Sequence, residues 1–498
     1  MSKKTDPFPP MRIAALAETL NVSVSPAERQ SFADLLSVGP TPDAGVLPSP
    51  PRDRFDVTFD PGPDTDPLNA FISRFELAEN GTGPLNGLAV VLKDNIAVAG
   101  VPMTAGSQAF TDVVPSVDAA VTERLVAAGA IIKGKANQDE FAYSSTGESS
   151  GFGPTKNPSD ESRVPGGSSS GSAAAVGSGA VDAALGSDTG GSVRIPAALC
   201  GVVGFKPSWG VVPRVGFLEL AYPFDTIGPF ARDVATTARV MDAIVGPDDR
   251  DPSSMRAARL DGRGFTTAAT DPALLAGCTF GIPDAYYDDT LDLGVRRLLD
   301  RRLDEIEAQE ATLEPVSVPS LDDCRRVLGI GVTLELAFTF LAQGVPIRRH
   351  EAVDPALQIA LARAFTQRGD ELGSFVRRKA IEGYARLVDS CGEVYVRARF
   401  STRAIAKAYD KVFEDFDALL TPTVPVLAPE LGRWTSEAGL DPALARATCP
   451  ANLYGGPALS VPAGTVDGLP VGLQVQGAPY DDIRVIELGA AIERVIGQ

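Results

Sequence analysis

Two serines that each end a Gly-Gly-Ser triplet, Ser168 and Ser192, are the residues of this sequence best suited to chemistry. Glycine lets a backbone approach a substrate closely because it has no Cβ. The consecutive N–H groups of Thr189, Gly190, Gly191 and Ser192 can form a nest that stabilises a negatively charged oxygen. A serine at the end of such a nest stands where a nucleophile is needed.

A serine hydroxyl is a weak nucleophile and needs a base to take its proton. The sequence holds one histidine, His350, in a basic run that we expect to be exposed, which argues against a histidine-based triad. Lysine can replace histidine, provided that burial makes its neutral form accessible. Lys93 directly follows an apolar strand pattern at 88–92, so it is either a base or the partner of a carboxylate. Asp94 is a poor partner, because adjacent strand side chains point in opposite directions.

The elements that must position these residues follow an α/β pattern. Between about residues 68 and 245, short apolar strands such as 88–92 and 130–132 alternate with helical patterns, which predicts a sheet covered by helices. A strand at 181–187 should lead into the nest, and a helical segment containing Pro196 should follow it.

The rest of the chain extends this architecture in both directions. Residues 248–400 are predicted to be mostly helical. Strands at 458–461 and 471–475 should be joined through the turn signal Asp467-Gly468, and a last helix should carry Val485, Leu488, Ile492 and Val495 on one face.

Residues 1–67 are predicted to form an N-terminal helical segment and a Pro-rich linker, ahead of a catalytic domain at 68–498. Residues 13–20 follow helical spacing, and Ser25 with Glu28 forms a capping box around Pro26. From about 38 to 67 the chain is rich in Pro, Gly and Asp, which favours irregular structure.

Composition excludes several functions for this 498-residue chain. With 45 Lys+Arg against 64 Asp+Glu, the formal net charge is −19, which argues against direct nucleic-acid binding and against docking on anionic membranes. The acidity fits either a soluble protein whose molecules are kept monodisperse by charge repulsion or a protein of a salt-rich cytoplasm. Scattered cysteines indicate a reducing compartment. The first residues lack an apolar core, so we do not expect them to act as a signal peptide, and no apolar run approaches the ~18 residues needed to span a membrane. We therefore expect a cytoplasmic protein.

The motifs resemble those of a known family. The runs GGSSSGSAAAV around Ser168 and GSDTGGSVRIPAA around Ser192 resemble the two halves of the amidase signature, and LKDN at Lys93 resembles the lysine motif of that family. Further similar segments occur, in the family's order, at 134–141, 152–158, 201–207, 450–452 and 468–474. The resemblance is strong over about 68–245 and looser in the C-terminal third.

This resemblance implies a single α/β domain, with a mixed β-sheet core covered by helices on both faces. It also implies that Ser192 is the nucleophile and Lys93 the base. Ser168, in a cis peptide, would be the bridging serine that passes the proton from Ser192 to Lys93. The nest 189–192 would stabilise the oxyanion that forms when Ser192 attacks an amide. The acyl group would pass to Ser192 and then to water. Three further residues are expected to pair with or orient these groups, namely Ser169, Asp188 and Arg194.

No cofactor or metal is expected. The run 129–136 is similar to a phosphate-binding loop, but Ala136 lacks the hydroxyl that would bind Mg²⁺. The sequence offers no His/Cys cluster for zinc.

The expected substrate is a small-molecule amide, and two enzymes of the family fit. Segments 139–141 and 151–158 look like the glutaminase subunit of tRNA-dependent amidotransferases. That subunit tends to carry an acidic residue shortly before the Pro-Ala-Asn motif, whereas this sequence has Ala445 beside Arg446. Since glutamine needs a carboxylate to pair its ammonium, the sequence favours a stand-alone amidase that releases ammonia or an amine. The alternative function is the glutaminase subunit of a tRNA-dependent amidotransferase, which would act with partner subunits. A stand-alone amidase could instead form a homodimer. A relative that binds amides without catalysis is disfavoured by the intact Ser192, Ser168 and Lys93.

Overall fold

The structure is a computed structural model that describes residues 9–19, 22–38, 56–78, 82–271, 274–344, 354–433 and 440–497. Most of the predicted linker, at 39–55, and His350 lie outside the described residues. The chain divides into two compact units, Met1–Leu47 and Pro48–Gln498. The predicted division at residue 67 stays a prediction.

The described residues of the N-terminal unit form the helices α1 (Pro10–Thr19) and α2 (Pro26–Val38). The predicted capping box is present before α2. The Ser25 backbone N–H donates to Glu28 Oε2 at 2.7 Å, and the Glu28 N–H donates to Ser25 Oγ at 3.3 Å. These reciprocal bonds satisfy two of the N–H groups that a helix start leaves without partners.

The large unit is built on one mixed sheet. Its strands in the described residues are β1 (Thr58–Phe59), β2 (Phe71–Leu77), β3 (Ala89–Lys93), β4 (Ile131–Ala136), β5 (Ala183–Asp188), β6 (Val203–Lys206), β7 (Thr226–Ala231), β8 (Thr279–Pro283), β9 (Thr312–Val316), β10 (Ala418–Pro422), β11 (Ala458–Val466) and β12 (Leu469–Gln476). The order across the sheet is β1-β2-β4-β3-β5-β7-β6-β11-β12-β10-β8-β9. The predicted α/β architecture with a mixed sheet is confirmed.

Helices cover both faces of this sheet. In the described residues they are α3 (Ala120–Ala127), α4 (Ser170–Gly177), α5 (Arg194–Cys200), α6 (Val234–Ile244), α7 (Phe265–Thr270), α8 (Leu293–Glu307), α9 (Leu321–Leu341), α10 (Pro355–Gln367), α11 (Ser374–Asp389), α12 (Glu393–Val412), α13 (Leu440–Leu444), α14 (Cys449–Tyr454) and α15 (Asp482–Ile496). Along β3, Val90 and Leu92 pack in one apolar cluster and Val91 packs in another. Because successive strand residues face opposite sides, both faces of the sheet are buried.

The centre of the sheet decides where the site can form. Strand β3 pairs in parallel with β4 and with β5, and Leu92 lies opposite Leu185. The carboxyl ends of parallel strands meet at one edge, so Lys93 at the end of β3 lies beside Ser187 near the end of β5. Ligands of open α/β sheets commonly bind at this edge.

Most other predicted elements are confirmed. Strands β11 and β12 form the predicted antiparallel hairpin, and positive φ angles of 51° at Asp467 and 81° at Gly468 suit a two-residue turn. The last helix is α15. The middle region is mostly helical as predicted, but it also supplies β8 and β9 to the edge of the sheet. Over the described residues, the structure has no helix with both the length and the apolar character needed to cross a membrane.

Candidate active site

The side chains of Lys93 and Ser168 meet in the interior of the large unit. Lys93 Nζ lies 2.8 Å from Ser168 Oγ and 2.9 Å from Ser187 Oγ, and both Lys93 and Ser168 have no solvent exposure. Lys93 is carried by the end of β3, Ser187 by β5, and Ser168 by the segment that enters α4. The sequence predicted that Lys93 ends a strand, whereas the contact with Ser187 comes from the register of β3 and β5.

Ser168 lies in a tightly held segment. The Gly167–Ser168 peptide bond is cis, as the family resemblance implies. The next residue, Ser169, donates its hydroxyl to the Ser187 carbonyl at 3.2 Å and accepts the Ser187 N–H at 3.3 Å. Ser169 therefore ties the Ser168 segment to the end of β5.

The predicted nest forms the turn between β5 and α5, which we call the oxyanion turn (residues 188–192). Ser192 at its end is 8% exposed and faces a cavity. One of the four predicted oxyanion donors, the Gly191 N–H, already has a partner within the protein. It donates to the Asp188 carboxylate at 2.9 Å. An N–H already bonded to a carboxylate is a poor donor to a second anion.

Asp188 and Arg194 form a buried ion pair that stabilises the turn. Asp188 accepts hydrogen bonds from the backbone N–H groups of Gly191 and Val193 and from two nitrogens of Arg194. Burial raises the pKa of Asp188, but the Arg194 guanidinium and further donors outweigh this effect and hold it at about 2. The carboxylate stays ionised and keeps its donors.

Arg194 extends the network to the C-terminal part of the chain. Its Nη1 donates to the Thr448 carbonyl at 2.7 Å and to Gln474 Oε1 at 2.8 Å, and its Nη2 donates to Asn452 Oδ1 at 2.8 Å. Asn452 and Gln474 belong to the sequence motifs at 450–452 and 468–474, but the motifs alone predict no role for them. Only the packing of distant segments reveals that they hold Arg194.

Burial controls the charge of Lys93. Desolvation lowers the pKa of the Lys93 ammonium to about 7, although the nearby carboxylates of Asp139, Asp225 and Asp188 oppose the shift. Its close contacts are hydroxyl groups, which hydrogen-bond to either charge state. The neutral amine needed by a base is therefore accessible near neutral pH.

Asp94 pairs with a different lysine. Lys135 Nζ lies 3.2 Å from Asp94 Oδ1, and both side chains have no solvent exposure. The expectation that Asp94 does not pair with Lys93 is therefore confirmed. Lys135 belongs to β4 rather than to a phosphate-binding loop, which agrees with the interpretation of run 129–136.

A cavity of about 780 Å³ opens at the oxyanion turn. It is lined by Thr189, Gly190 and Ser192 from the turn, by parts of α9 and α11, and by Ala445 and Cys449. Its described charged lining residues are Arg325, Arg326, Arg378, Lys379, Glu382 and Arg386. Glu382 is bonded to Lys379 and to Arg386, so this wall is mainly cationic. In the described part of the chain, no group of three or more His, Cys, Asp or Glu residues could hold a metal ion.

The chain is similar to known proteins over most of its length. A family model described as Amidase matches residues 70–486. The A subunit of the glutamyl-tRNA(Gln) amidotransferase of Halobacterium salinarum is 42% identical over 434 residues, covering 86% of this chain and 100% of that protein. The corresponding protein of Methanospirillum hungatei is 38% identical over 441 residues, covering 88% and 99%.

Solved structures show the same likeness. The structure of the A subunit of the glutamyl-tRNA(Gln) amidotransferase from Thermotoga maritima has a TM-score of 0.70 and 35% identity, covering 86% of this chain and 87% of that one. The native peptide amidase from Stenotrophomonas maltophilia has a TM-score of 0.66 and 32% identity, covering 83% and 84%.

Proposed function

This chain belongs to the amidase signature family, and from that premise we propose that it cleaves a carboxylic amide with Ser192 as nucleophile, Ser168 as bridging serine and Lys93 as base. The observation that carries the proposal is the 2.8 Å contact between Lys93 Nζ and Ser168 Oγ in a fully buried setting. The pKa of Lys93, lowered to about 7 by burial, supplies the neutral amine that the reaction needs.

The proposed reaction moves one proton along the three residues. Neutral Lys93 accepts the proton of Ser168, Ser168 accepts the proton of Ser192, and Ser192 Oγ attacks the amide carbon. While the Lys93 lone pair faces Ser168, one of its N–H bonds can donate to Ser187 and fix the amine. The proton then returns to the leaving nitrogen as the C–N bond breaks. Water hydrolyses the resulting ester with Ser192 in the same way.

Charge on the tetrahedral oxygen needs donors that are already in place. The oxyanion turn offers backbone N–H groups on Thr189, Gly190 and Ser192 beside the cavity, while the Gly191 N–H is held by Asp188. We therefore assign the oxyanion to the first three groups and give Gly191 a role in shaping the turn.

The relatives favour the glutaminase of an amidotransferase over the stand-alone amidase that the sequence alone favours. The chain is 42% identical to the A subunit of a glutamyl-tRNA(Gln) amidotransferase over the whole of that protein. One lining residue also suits glutamine, because Arg378 lines the cavity and a guanidinium pairs well with an α-carboxylate.

One observation keeps the stand-alone amidase as a second candidate. Ala445 lines the cavity at the position where an acidic residue is expected to bind the glutamine ammonium. Among the described lining residues, the acidic one is Glu382. Its carboxylate already forms ion pairs with Lys379 and Arg386. An amide without an ammonium group fits this wall better.

An amide panel that includes glutamine tests the substrate. Ammonia release from simple amides by the lone chain supports the stand-alone enzyme. Activity that needs the other chains of an amidotransferase and prefers glutamine supports the glutaminase. Inactivity toward every amide under both conditions contradicts the proposal.

Substitution of the nucleophile tests the chemistry. Ser192→Ala should abolish hydrolysis and labelling by a fluorophosphonate probe while the melting temperature stays close to that of the wild type. Ser172→Ala is the matched control, because it removes another buried serine hydroxyl, one that donates to the Leu185 carbonyl at 3.0 Å. Persistent labelling of Ser192→Ala would move the nucleophile to another residue.

A further inference from the structure

The peptide unit between Gly190 and Gly191 is held at both of its polar ends. Thr448 Oγ1 donates to the Gly190 carbonyl at 2.7 Å, and the Gly191 N–H donates to Asp188 at 2.9 Å. The Thr448 hydroxyl has a second acceptor within reach, the Ala445 carbonyl at 3.2 Å, but the bond to Gly190 is the shorter. Since both ends are bonded, the plane of this peptide cannot rotate without breaking a hydrogen bond.

The Thr448 side chain also packs directly against the turn. A Cβ added to Gly191 would lie 2.1 Å from Thr448 Oγ1 and 2.6 Å from Thr448 Cβ. Gly191 has φ of +131°, a value that side-chain-bearing residues rarely adopt. The absence of a side chain at Gly191 is therefore what lets Thr448, which has no solvent exposure, reach the Gly190 carbonyl.

Thr448 connects the turn to a wall of the cavity. It lies between Ala445 and Cys449, which both line the cavity, and it precedes α14 directly. Its backbone carbonyl accepts the hydrogen bond from Arg194 Nη1. The main chain of Thr448 thus binds Arg194, just beyond the oxyanion turn, and its side chain binds the Gly190 peptide within the turn.

We propose that Thr448 is a positioning residue, whose hydroxyl orients the Gly190–Gly191 peptide so that the neighbouring N–H groups of Gly190 and Ser192 face the reacting oxygen. The proposal rests on the proposed function, since it matters only if Ser192 is the nucleophile. Thr448 touches neither the reacting atoms nor the proton relay. Its effect is on the geometry of donors that act in the transition state.

A role in the transition state predicts which kinetic constant changes. Loss of the hydroxyl leaves the Gly190 carbonyl free to turn, which moves the adjacent N–H groups away from the oxyanion. Removing one oxyanion donor outright costs about 10²–10³-fold in kcat, so misaligning such donors should cost about 10–100-fold. Substrate binding in the ground state does not use these groups fully, and KM should therefore change by less than about threefold.

The experiment compares Thr448→Val, which keeps the shape and loses the hydroxyl, with Thr448→Ser, which keeps the hydroxyl. Thr448→Val should show the kcat loss, and Thr448→Ser should recover to within about threefold of the wild type. Thr423→Val controls for the loss of a buried threonine hydroxyl elsewhere, because Thr423 is fully buried and bonded to Ser460 at 2.9 Å. It should leave kcat unchanged. If Thr448→Val does not fold, Thr448→Ala replaces it, with the same expected loss.

Two results would overturn the proposal. One is a wild-type kcat in Thr448→Val, and the other is an equal loss of kcat in Thr448→Ser. Ser192→Ala, measured in parallel, separates this failure from failure of the proposed function. An inactive Ser192→Ala with a fully active Thr448→Val rejects only the role of Thr448, whereas an active Ser192→Ala rejects the nucleophile itself.

Discussion

Lowering the assay pH should switch the enzyme off by protonating Lys93, because only its neutral amine can accept a proton. Burial lowers the pKa of Lys93 from 10.5 to about 7, against the opposing effect of Asp139, Asp225 and Asp188. The group lies at the end of β3 with no solvent exposure, so solvent does not restore its ordinary pKa. Burial raises the pKa of Asp225 to about 6, so above pH 6, where that carboxylate is ionised, activity should follow the titration of Lys93.

The size of the effect follows from the pKa. With a pKa of about 7, the neutral fraction of Lys93 is about 1% at pH 5, about one half at pH 7 and about 90% at pH 8. A lysine with the ordinary value would be neutral in only about 0.03% of molecules at pH 7, and that fraction would still grow tenfold per pH unit at pH 9. The two cases differ in the position of the break in the pH–rate profile.

The assay is ammonia release measured as kcat/KM from pH 5 to 9.5 at constant ionic strength. The substrate should have no group that ionises in this range, and the melting temperature at each pH confirms that the protein stays folded. The logarithm of kcat/KM should rise with unit slope below pH 7 and level off above about pH 8. A flat profile from pH 5 to 9 would exclude Lys93 as the base. A rise that continues unbroken beyond pH 9 would show that the lysine is not desolvated.

Two further substitutions probe the charges around the site. Asp225→Asn should move the break of the pH–rate profile to lower pH, because the Asp225 carboxylate raises the pKa of Lys93; a break that stays in place or moves to higher pH contradicts this electrostatic assignment. Lys135→Met should lower the free energy of unfolding by about 3–5 kcal/mol in urea titrations, because Asp94 is left buried without its partner. Its control, Lys133→Met, removes a half-exposed lysine from the same strand and should cost less than about 1 kcal/mol; equal losses in the two variants would contradict the reasoning.

Local patterns predicted the backbone of the site well. A lysine after an apolar run, a glycine-rich turn after a strand and a helix beginning beyond it are features of neighbouring residues. They appear as Lys93 at the end of β3 and Ser192 between β5 and α5. The alternation of apolar strands with helical patterns also predicted a sheet covered by helices, and the family resemblance implied helices on both faces. Such features can be predicted from the sequence because they depend only on residues that are neighbours in the chain.

The partners of these residues could not be predicted, because they come from distant segments. Ser187 reaches Lys93 through the register of two parallel strands. Thr448, Asn452 and Gln474 reach Arg194 across more than 250 positions of sequence. The same limit applies at Gly191, since four consecutive N–H groups look equivalent until the position of the Asp188 side chain is known.

The surroundings of two buried lysines, Lys93 and Lys135, explain why the proposal makes only Lys93 the base. Lys93 and Lys135 lie at the ends of neighbouring parallel strands, Lys135 lies opposite Leu92 in their register, and neither side chain is exposed. Burial lowers the pKa of both. Lys135, however, has the Asp94 carboxylate at 3.2 Å, and a charge pair at that distance loses its attraction if the lysine gives up its proton. Lys93 touches the hydroxyls of Ser168 and Ser187 instead, with its carboxylates acting from further away, so losing the proton costs it no ion pair. The proposed role of Lys93 as base therefore depends on its nearest neighbours, which are hydroxyl groups and not a carboxylate.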